Sequence, residues 1–226
     1  MPKRVLITGA TGNIGKVCVE HADDLDWQVR GVSRHGVPDL RIDAVDLTRW
    51  SVVDYWTYCQ QPFDLVIMAH GVQVPATAKQ LTEDMWRSVL DNNLSATVAL
   101  THALICHQKL ASGSLVVYCS SIQSYTPRAG RGAYAAAKAG LEAFGKTVAA
   151  ELAPETRVIS LRLGQLTKTM AGIEFPEAER TKLEARTLLP WIDPVDVAKL
   201  IWTLYEQPGI TGCVIDVDSG HGRNVW

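Results

Sequence analysis

Short apolar runs alternate with longer stretches of helical periodicity along almost the whole chain. The apolar runs are rich in Val, Ile and Leu and predict strands at residues 4–8, 28–34, 41–47, 64–71, 113–121, 156–164 and 210–218. The intervening stretches predict helices at residues 12–22, 50–59, 82–110, 132–153 and 194–207. Strands separated by helices form βαβ units. The pattern therefore predicts an α/β fold of the Rossmann type, with a doubly wound parallel sheet of about seven strands in a single domain over 1–226.

Three helix ends carry recognisable signals. Thr82 is a predicted N-cap of the helix at 82–110, and Asp193 is another, followed by Pro194 at the first helical position. The Ala-rich helix at 132–153 stops before Pro154 because proline lacks the N–H that the helix would need.

One segment, at about 168–192, departs from the alternation because it carries charge, Pro and Gly outside the strand pattern. It follows the sixth strand, and ligands of open α/β sheets bind beyond the carboxyl ends of the strands. We expect a lid over a substrate site here, with a surface helical hairpin as the alternative.

Charge and composition exclude several classes of protein. The chain has 226 residues, and its formal net charge of −2 provides no strongly basic surface for nucleic acid. No apolar run approaches the ~20 residues of a membrane span, and the N-terminal segment lacks the features of a secretory signal. Five dispersed cysteines predict reduced thiols in a cytoplasmic protein, and six histidines show no metal-ligand spacing, so we expect no metal.

A glycine-rich loop, TGATGNIG at residues 8–15, lies between the first predicted strand and the first helix. Gly9, Gly12 and Gly15 permit a tight turn, close approach of the backbone to a pyrophosphate, and close packing of the helix on the strand. The helix N-terminus adds N–H groups that attract an anion. We expect a dinucleotide site, the alternative being a glycine-rich turn without a ligand.

The end of the second strand bears on the choice between NAD and NADP. The strand ends in Val32-Ser33-Arg34, with no acid to bond a ribose 2′-hydroxyl. Arg34 suits a 2′-phosphate, which favours NADP(H) over NAD(H), or else it is a solvated surface charge. Asp46, after the third strand, is a candidate partner of the adenine amino group.

Tyr134 and Lys138 lie four residues apart on the Ala-rich helix, so their side chains share one face. A phenol has an unperturbed pKa of about 10, and a neighbouring ammonium favours the phenolate. Such a pair can donate a proton to a carbonyl oxygen as a hydride arrives from a nicotinamide.

Further residues stand at characteristic distances from this pair. Ser121 precedes Tyr134 by 13 residues, and Asn93, in the sequence DNNL, precedes Ser121 by 28. The stretches LGQLTKTM at 163–170, DPVDVAKLIWTL at 193–204 and ITGCVIDVDSG at 210–220 extend the pattern toward the C-terminus. Over residues 3–220 the chain resembles the short-chain dehydrogenase/reductase family, with that family's usual active-site pattern and an atypical glycine motif.

The resemblance implies catalytic roles for four residues. Tyr134 is expected to be the general acid in reduction and the general base in oxidation, and Lys138 to stabilise its phenolate and bond the nicotinamide ribose. Ser121 is expected to hydrogen-bond the substrate carbonyl, and Asn93 to hold a water that links Lys138 to solvent. Without these roles, Ser121 is a strand-end turn residue and Asn93 a polar group inside a helix.

The expected cofactor-binding set combines the glycine loop, the strand ends and the resemblance. With Tyr134 and Lys138 it comprises Gly9, Thr11, Gly12, Asn13, Ile14, Gly15, Ser33, Arg34, Asp46, Leu47, Ala69, His70, Gly71, Gly164, Leu166, Thr167 and Thr169. Asn13 stands where the family's middle glycine usually falls, Leu163 replaces a proline, and Lys168 an expected threonine. His70 follows the fourth strand, where the family has Asn-Asn-Ala-Gly, and lies either near the cofactor or packed against a helix.

Candidate substrate contacts flank the expected catalytic tyrosine. They are His70, Gln73, Gln123, Tyr125, Arg128, Arg131 and the segment at 168–192. Arg128 and Arg131 suit an anionic substrate such as a carboxylate or phosphate. The alternatives for these two arginines are a solvated loop or a contact between subunits.

These observations predict an NAD(P)-dependent oxidoreductase, preferring NADPH, that interconverts a carbonyl and an alcohol of a small molecule. The alternative is a non-catalytic dinucleotide-binding regulator of the same fold, which has no need of the four spaced residues. An epimerase or dehydratase of the family's extended branch needs a larger C-terminal domain than 226 residues leave.

The expected partners are a small-molecule substrate and other copies of the chain, with no nucleic acid and no membrane. The long helices at 82–110 and 132–153 resemble the family's dimer-forming pair, and the tail at 221–226 is placed to reach a second interface. We expect a homotetramer, or else a homodimer.

Overall fold

Seven strands form one parallel sheet in the computed structural model, which describes residues 2–37, 41–167 and 177–221. The strands are β1 (Arg4–Thr8), β2 (Gln28–Ser33), β3 (Ile42–Ala44), β4 (Phe63–Met68), β5 (Leu110–Ser121), β6 (Thr156–Leu163) and β7 (Cys213–Val217). Across the sheet their order is β3-β2-β1-β4-β5-β6-β7, and every neighbouring pair is parallel. The predicted Rossmann-type sheet in a single domain is confirmed.

Helices connect the strands and cover both faces of the sheet. They are α1 (Asn13–Asp24), α2 (Trp50–Tyr58), α3 (Glu83–Leu90), α4 (Ala96–Cys106), α5 (Gly132–Leu152), α6 (Glu177–Glu184) and α7 (Pro194–Tyr205). A π-helical turn at Asp91–Ser95 joins α3 to α4, and a 3-10 turn at Ile122–Ser124 follows β5. No helix within the described ranges is long and apolar enough to cross a membrane.

Alternate side chains of the strands build an apolar layer on each face of the sheet. On one face, Ile7 and its neighbours pack with Cys18 of α1 and Ile201 of α7. On the other face, Leu6 belongs to a layer that includes Leu100 of α4 and residues of α2 and α5. Burial on both faces explains why the central strands are continuous apolar runs rather than alternating ones.

The chain reverses its direction of winding at β1, which pairs with β2 on one side and with β4 on the other. In an open α/β sheet, this reversal opens a crevice at the carboxyl ends of the strands, where ligands bind. Thr8, Met68 and Ser121 end β1, β4 and β5 at this edge. The fold therefore brings the glycine loop to the same edge as the expected catalytic serine.

The predicted continuous helix at 82–110 is wrong, because the π-helical turn interrupts it and α4 already ends at Cys106. In the turn, the Ala96 N–H donates to the carbonyl of Asp91, five residues earlier. The side-chain amides of Asn92 and Asn93 donate to the carbonyls of Ser88 and Val89, each at 2.8 Å. These bonds provide partners for backbone carbonyls where the helical hydrogen bonds change from a four-residue to a five-residue spacing.

The third strand is shorter than the predicted range 41–47, because the chain turns soon after Ala44. The Asp46 carboxylate accepts hydrogen bonds from the backbone N–H and the hydroxyl of Thr48, at 3.1 and 2.7 Å. This local turn competes with continuation of the strand.

The predicted helix caps are confirmed. The Thr82 hydroxyl accepts from the Met85 N–H at 3.2 Å, and the Asp193 carboxylate accepts from the Val195 N–H at 2.9 Å. Pro194 occupies the first turn of α7, where its missing N–H costs nothing.

The predicted lid at 168–192 lies partly outside the described residues, since 168–176 are not among them. The remaining residues contain α6 and then run alongside the C-terminal segment near Ser219. The backbone N–H groups of Leu188 and Leu189 donate to the Ser219 carbonyl at 2.8 and 3.1 Å, and Ile192 bridges to Leu166. This end of the segment is thus anchored beside the loop that follows β6.

Candidate active site

A cavity of about 960 Å³ opens at the carboxyl edge of the sheet. Its walls come from the glycine loop, the ends of β2 and β4, the loop after β3, the end of β5, the start of α5 and the loop after β6. This volume lies at the upper end of the range for small-molecule sites, roughly 300–1,000 Å³.

The glycine loop is packed so closely that side chains are excluded at two positions. Gly9 has φ +64°, and a Cβ placed on it would lie 2.9 Å from the Ala69 carbonyl oxygen. A Cβ on Gly15 would lie 2.1 Å from the carbonyl oxygen of Gly9. Helix α1 therefore sits directly against the loop, with its N-terminal end in the cavity wall. These residues fit a dinucleotide whose pyrophosphate faces backbone N–H groups.

Most of the expected cofactor residues line this cavity. Those that do are Gly9, Thr11, Gly12, Asn13, Ile14, Ser33, Arg34, Asp46, Leu47, Ala69, His70, Gly71, Tyr134, Lys138, Gly164 and Leu166. Gly15 and Thr167 are not in its lining: Gly15 packs α1 on the loop, and the Thr167 N–H donates to the Ile192 carbonyl at 3.0 Å. Thr169 lies outside the described residues.

The end of the cavity near β2 is bordered by Arg34, which is exposed, and by Asp46. The hydrogen bond from Thr48 holds the pKa of the Asp46 carboxyl below its usual value, and the charges of Arg49 and Arg34 act in the same direction. The Ser33 hydroxyl is engaged, since it accepts from the Gly36 N–H at 3.1 Å. Arg34 is thus the charged group that β2 presents at this end.

Tyr134 and Lys138 both line the cavity, although the residues are 8% and 4% exposed. The Lys138 Nζ atom lies 5.6 Å from the centre of the Tyr134 ring. It donates a hydrogen bond to the Cys119 carbonyl at 2.8 Å. This bond ties the ammonium of α5 to the end of β5, so the lysine is held in place rather than swinging on its four-carbon chain.

Ser121, the last residue of β5, lines the same cavity. Its Oγ accepts a hydrogen bond from the Gln123 N–H at 3.3 Å. Because the oxygen is the acceptor in this bond, the hydroxyl hydrogen is available to donate to another oxygen. The structure thus brings Ser121, Tyr134 and Lys138 together, as the sequence predicts.

Asn93 is fully buried in the π-helical turn and lies behind Gly71 rather than in the cavity lining. Its Nδ2 donates to the carbonyls of Val72 and Val89, each at 2.8 Å, while its Oδ1 has no hydrogen-bond partner among the described residues. A Cβ placed on Gly71 would lie 2.3 Å from this Oδ1 and 3.7 Å from the Lys138 Nζ. The unpartnered oxygen and the ammonium therefore converge at Gly71.

His70 satisfies both alternatives that the sequence leaves open, since it lines the cavity and also packs against a helix. Its Nδ1 lies 2.6 Å from the Thr8 hydroxyl, and its Nε2 lies 3.3 Å from the Thr97 hydroxyl of α4. The Thr97 hydroxyl also donates to the Asn93 carbonyl at 3.3 Å, and the Thr8 hydroxyl donates to the Ile67 carbonyl at 3.5 Å. Burial, aided by the charge of Lys138, lowers the pKa of His70 to about 3.

A buried ion pair next to this site is absent from the sequence predictions. Glu142 of α5 accepts from Arg162 Nη2 of β6 at 2.7 Å, and the Ser120 and Ser124 hydroxyls donate to it at 2.6 and 2.5 Å. The side chains of Glu142 and Arg162 are 9% and 19% exposed. Burial alone would raise the pKa of Glu142, but hydrogen bonds from Arg162, Ser120 and Ser124 outweigh it and hold the pKa below its usual value.

One signal for this network is present in the sequence. Tyr134, Lys138 and Glu142 recur at intervals of four residues, which places all three on one face of α5. Arg162 carries no comparable signal, because it occurs inside an apolar strand where its partner cannot be inferred from spacing.

The expected substrate contacts divide into two groups. Gln73, Gln123, Arg128 and Arg131 line the cavity. Tyr125 does not: it is 75% exposed, and the Arg162 guanidinium lies 5.4 Å from the centre of its ring. The structure thus leaves Tyr125 outside the cavity and keeps both arginines inside it.

The ion pair generates a prediction about stability. Replacing Arg162 with Met leaves the Glu142 carboxylate buried without its cation, so we expect the free energy of unfolding in urea to fall by roughly 3–5 kcal/mol. The double variant Glu142→Leu/Arg162→Met removes both charges and should recover most of that loss. As a control, Arg87→Met breaks the exposed pair with Glu83 and should cost less than about 1 kcal/mol. An equally small loss for Arg162→Met would contradict the interpretation.

His70 generates a prediction about pH. Its pKa is lower in the folded chain than in the unfolded chain, so the unfolded state binds the extra proton and stability falls as the pH drops below about 6.5. His70→Asn retains an acceptor for Thr8 and a donor for Thr97 but cannot titrate. Between pH 7 and pH 5, we expect wild type to lose about 2 kcal/mol more than His70→Asn in urea unfolding. The exposed variant His35→Asn is the control, and parallel pH profiles for wild type and His70→Asn would refute the argument.

The chain is similar to known proteins along most of its length. The family model described as "Enoyl-(Acyl carrier protein) reductase" matches residues 48–221. The chain is 29% identical to (-)-trans-carveol dehydrogenase of Rhodococcus erythropolis, over 88% of this chain and 80% of that protein. It is 26% identical to a 3-oxoacyl-[acyl-carrier-protein] reductase of Chlamydia pneumoniae, over 96% of both chains.

Among solved structures, a short chain dehydrogenase family protein from Francisella tularensis has a TM-score of 0.88 at 21% identity, over 99% of this chain and 100% of that one. This likeness shows that the fold is shared. The family model covers more than half of the sequence, including the expected catalytic residues. The chain therefore belongs to the short-chain dehydrogenase/reductase family of NAD(P)-dependent oxidoreductases.

Proposed function

We propose that this chain interconverts a carbonyl and an alcohol of a small molecule, with NADPH as the preferred cofactor and Tyr134 as the general acid and base. One observation carries the proposal: Ser121, Tyr134 and Lys138 line the same cavity as the glycine loop. A non-catalytic dinucleotide-binding protein has no use for this arrangement. The relatives named as a carveol dehydrogenase and an oxoacyl reductase support the same chemistry.

The residues that would hold the cofactor extend from the glycine loop, past Arg34 and Asp46, to Gly164 and Leu166 after β6. When bound, the nicotinamide supplies a hydride for reduction or accepts one in oxidation. The chain's own contribution is to hold the substrate oxygen next to a proton donor. Tyr134 and Lys138 are 8% and 4% exposed, which limits the access of water to the proton donor.

Tyr134 is the proposed donor of that proton in reduction and its acceptor in oxidation. The Lys138 ammonium favours the phenolate that remains after the proton leaves. Ser121 has a hydroxyl hydrogen to donate to the same substrate oxygen, which fixes the oxygen's position and stabilises the charge that develops on it. The Lys138–Cys119 bond keeps the ammonium close to the phenol ring throughout.

Asn93 is the proposed link between Lys138 and solvent. Its Oδ1 is buried and unpartnered within the described residues, and it lies near the ammonium at Gly71. A water molecule accommodated there would find one acceptor and one donor already oriented. Through this water, a proton from solvent would return to Lys138 after each turnover.

NADPH preference rests on Arg34. The end of β2 offers no carboxylate for a ribose 2′-hydroxyl, and Asp46 is engaged by Thr48. An exposed guanidinium in the cavity wall suits a 2′-phosphate because its planar donors match phosphate oxygens. The remaining expectations about the whole protein, a homotetramer or homodimer and a cytoplasmic location, stay predictions.

Tyr134→Phe tests the chemistry. We expect kcat to fall by about 10²–10⁴ with any active carbonyl substrate, because the general acid is removed, while NADPH affinity changes little. Turnover is followed at the nicotinamide absorbance, and binding by tryptophan fluorescence. The control is Tyr55→Phe on the exposed face of α2, which should behave as wild type. Full activity of Tyr134→Phe would reject the mechanism, and absence of turnover in wild type that binds NADPH would favour the regulator.

Arg34→Gln tests the cofactor preference. Loss of a charge-assisted contact to the 2′-phosphate should weaken NADPH binding about ten-fold or more and leave NADH binding nearly unchanged. Both dissociation constants are measured by fluorescence titration, with the exposed Arg87→Gln variant as control. If wild type binds NADH more tightly than NADPH, the preference is wrong while the oxidoreductase proposal stands.

A further inference from the structure

Two loops line the cavity near Tyr134, and one of them carries two arginines, Arg128 and Arg131. One, at 71–77, follows β4, and the other, at 122–131, precedes α5. They are joined twice: the Ala76 N–H donates to the Gly130 carbonyl at 3.0 Å, and Arg131 Nη1 donates to Gln73 Oε1 at 2.7 Å. The double connection makes this end of the cavity a built wall rather than two separate surface loops.

Arg131 is the central residue of this wall. It is half-buried, lines the cavity and forms no ion pair within the described part of the chain. Its side-chain hydrogen bond goes to the neutral amide of Gln73, so the charge of the guanidinium is not neutralised by that contact. Gln73 engages Nη1 and leaves the edge formed by Nε and Nη2 without a partner among the described residues. Two parallel N–H donors on one edge are the arrangement that binds a carboxylate in bidentate fashion.

Further cationic side chains lie at the same end. Arg128 lines the cavity, and its backbone N–H donates to Gln123 Oε1 at 3.0 Å. Burial, and then the charges of Arg128 and Arg186, lower the pKa of His221, against the opposing effect of Asp218. Arg128 and Arg186 are thus both close to His221, together with the opposing charge of Asp218.

We propose that this wall binds the carboxylate of the substrate, so that the substrate class is a short oxo acid and the corresponding hydroxy acid. The inference rests on the proposed function, because it uses Tyr134 as the partner of the reacting carbonyl. Arg131 stands at the N-cap position of α5 and precedes Tyr134 by three residues, about one helical turn, so their Cβ atoms are on the order of 5–6 Å apart. A carboxylate held by Arg131 therefore places a carbonyl a few bonds away at Tyr134.

The test compares straight-chain oxo acids, with the carbonyl at the second, third or fourth carbon, with their uncharged methyl esters. We expect wild type to use at least one acid with kcat/KM ten-fold or more above that of its ester. Arg131→Gln should lower kcat/KM for the acid about ten- to hundred-fold, mainly through KM, and affect the ester much less. Gln73→Leu, which removes the bond that orients Arg131, should produce a smaller loss in the same direction.

Arg87→Gln, at an exposed position on α3, is the matched control for the loss of one arginine. Equal use of acids and esters by wild type, or an equal loss for both in Arg131→Gln, would overturn the carboxylate site and leave the proposed function intact. A second measurement separates the two proposals: calorimetric binding of an oxo acid to Tyr134→Phe saturated with NADPH. If an oxo acid binds to this variant in a way that depends on Arg131, but wild type shows no turnover, the proposed function is contradicted and the carboxylate site is retained. If no acid binds, the carboxylate site is overturned.

Discussion

The ion pair between Glu142 and Arg162 is the interaction on which the geometry of the active site depends. It joins α5, which carries Tyr134 and Lys138, to β6. The hydroxyls of Ser120, just before Ser121, and of Ser124, three residues after it, extend the network to the end of β5. A buried pair is not in itself a strong source of stability, because desolvation opposes the attraction. Its value here is positional: the carboxylate accepts from the hydroxyls of Ser120 and Ser124 and from both Nε and Nη2 of Arg162, and these four bonds fix the helix against the strand end.

A single buried ammonium organises the chemistry around it. Lys138 is bonded to the Cys119 carbonyl and contributes to keeping His70 neutral. A neutral imidazole can accept from Thr8 and donate through Thr97 to the turn that contains Asn93. The ends of β1 and β4, the π-helical turn and α5 are thereby connected through polar contacts, all within the apolar layers that cover the sheet. The buried charges of Lys138 and Glu142 are each held by a specific partner.

The elements that depend on local pattern could be predicted from the sequence. β1 occurs at the predicted residues because an apolar run ends at a glycine, and α7 begins where Asp193 and Pro194 indicate. The four-residue spacing of Tyr134 and Lys138 predicts that they share a helix face, and the resemblance to the family implies that Ser121 joins them. The interruption of the helix at Asp91 could not be predicted with the same ease: Asn92 and Asn93 are weak helix formers, but only tertiary contacts reveal that their amides serve neighbouring carbonyls. The partners of His70 and Arg162 are also distant in the sequence. The sequence therefore leaves the surroundings of His70 undecided and gives no prediction for Arg162.

The π-helical turn also has a consequence for how this chain tolerates change. A regular helix advances about 100° per residue, so one extra residue in a turn re-phases everything that follows it. Here Val89, before the turn, faces the start of α5, while Thr97, after it, meets His70. Removing one residue between Asp91 and Ser95 would make the helix more regular and yet rotate one of these two contacts away from its partner. The π-helical turn rotates α4 relative to α3 by a fixed angle, so that one helical segment can pack against α5 while the other contacts His70.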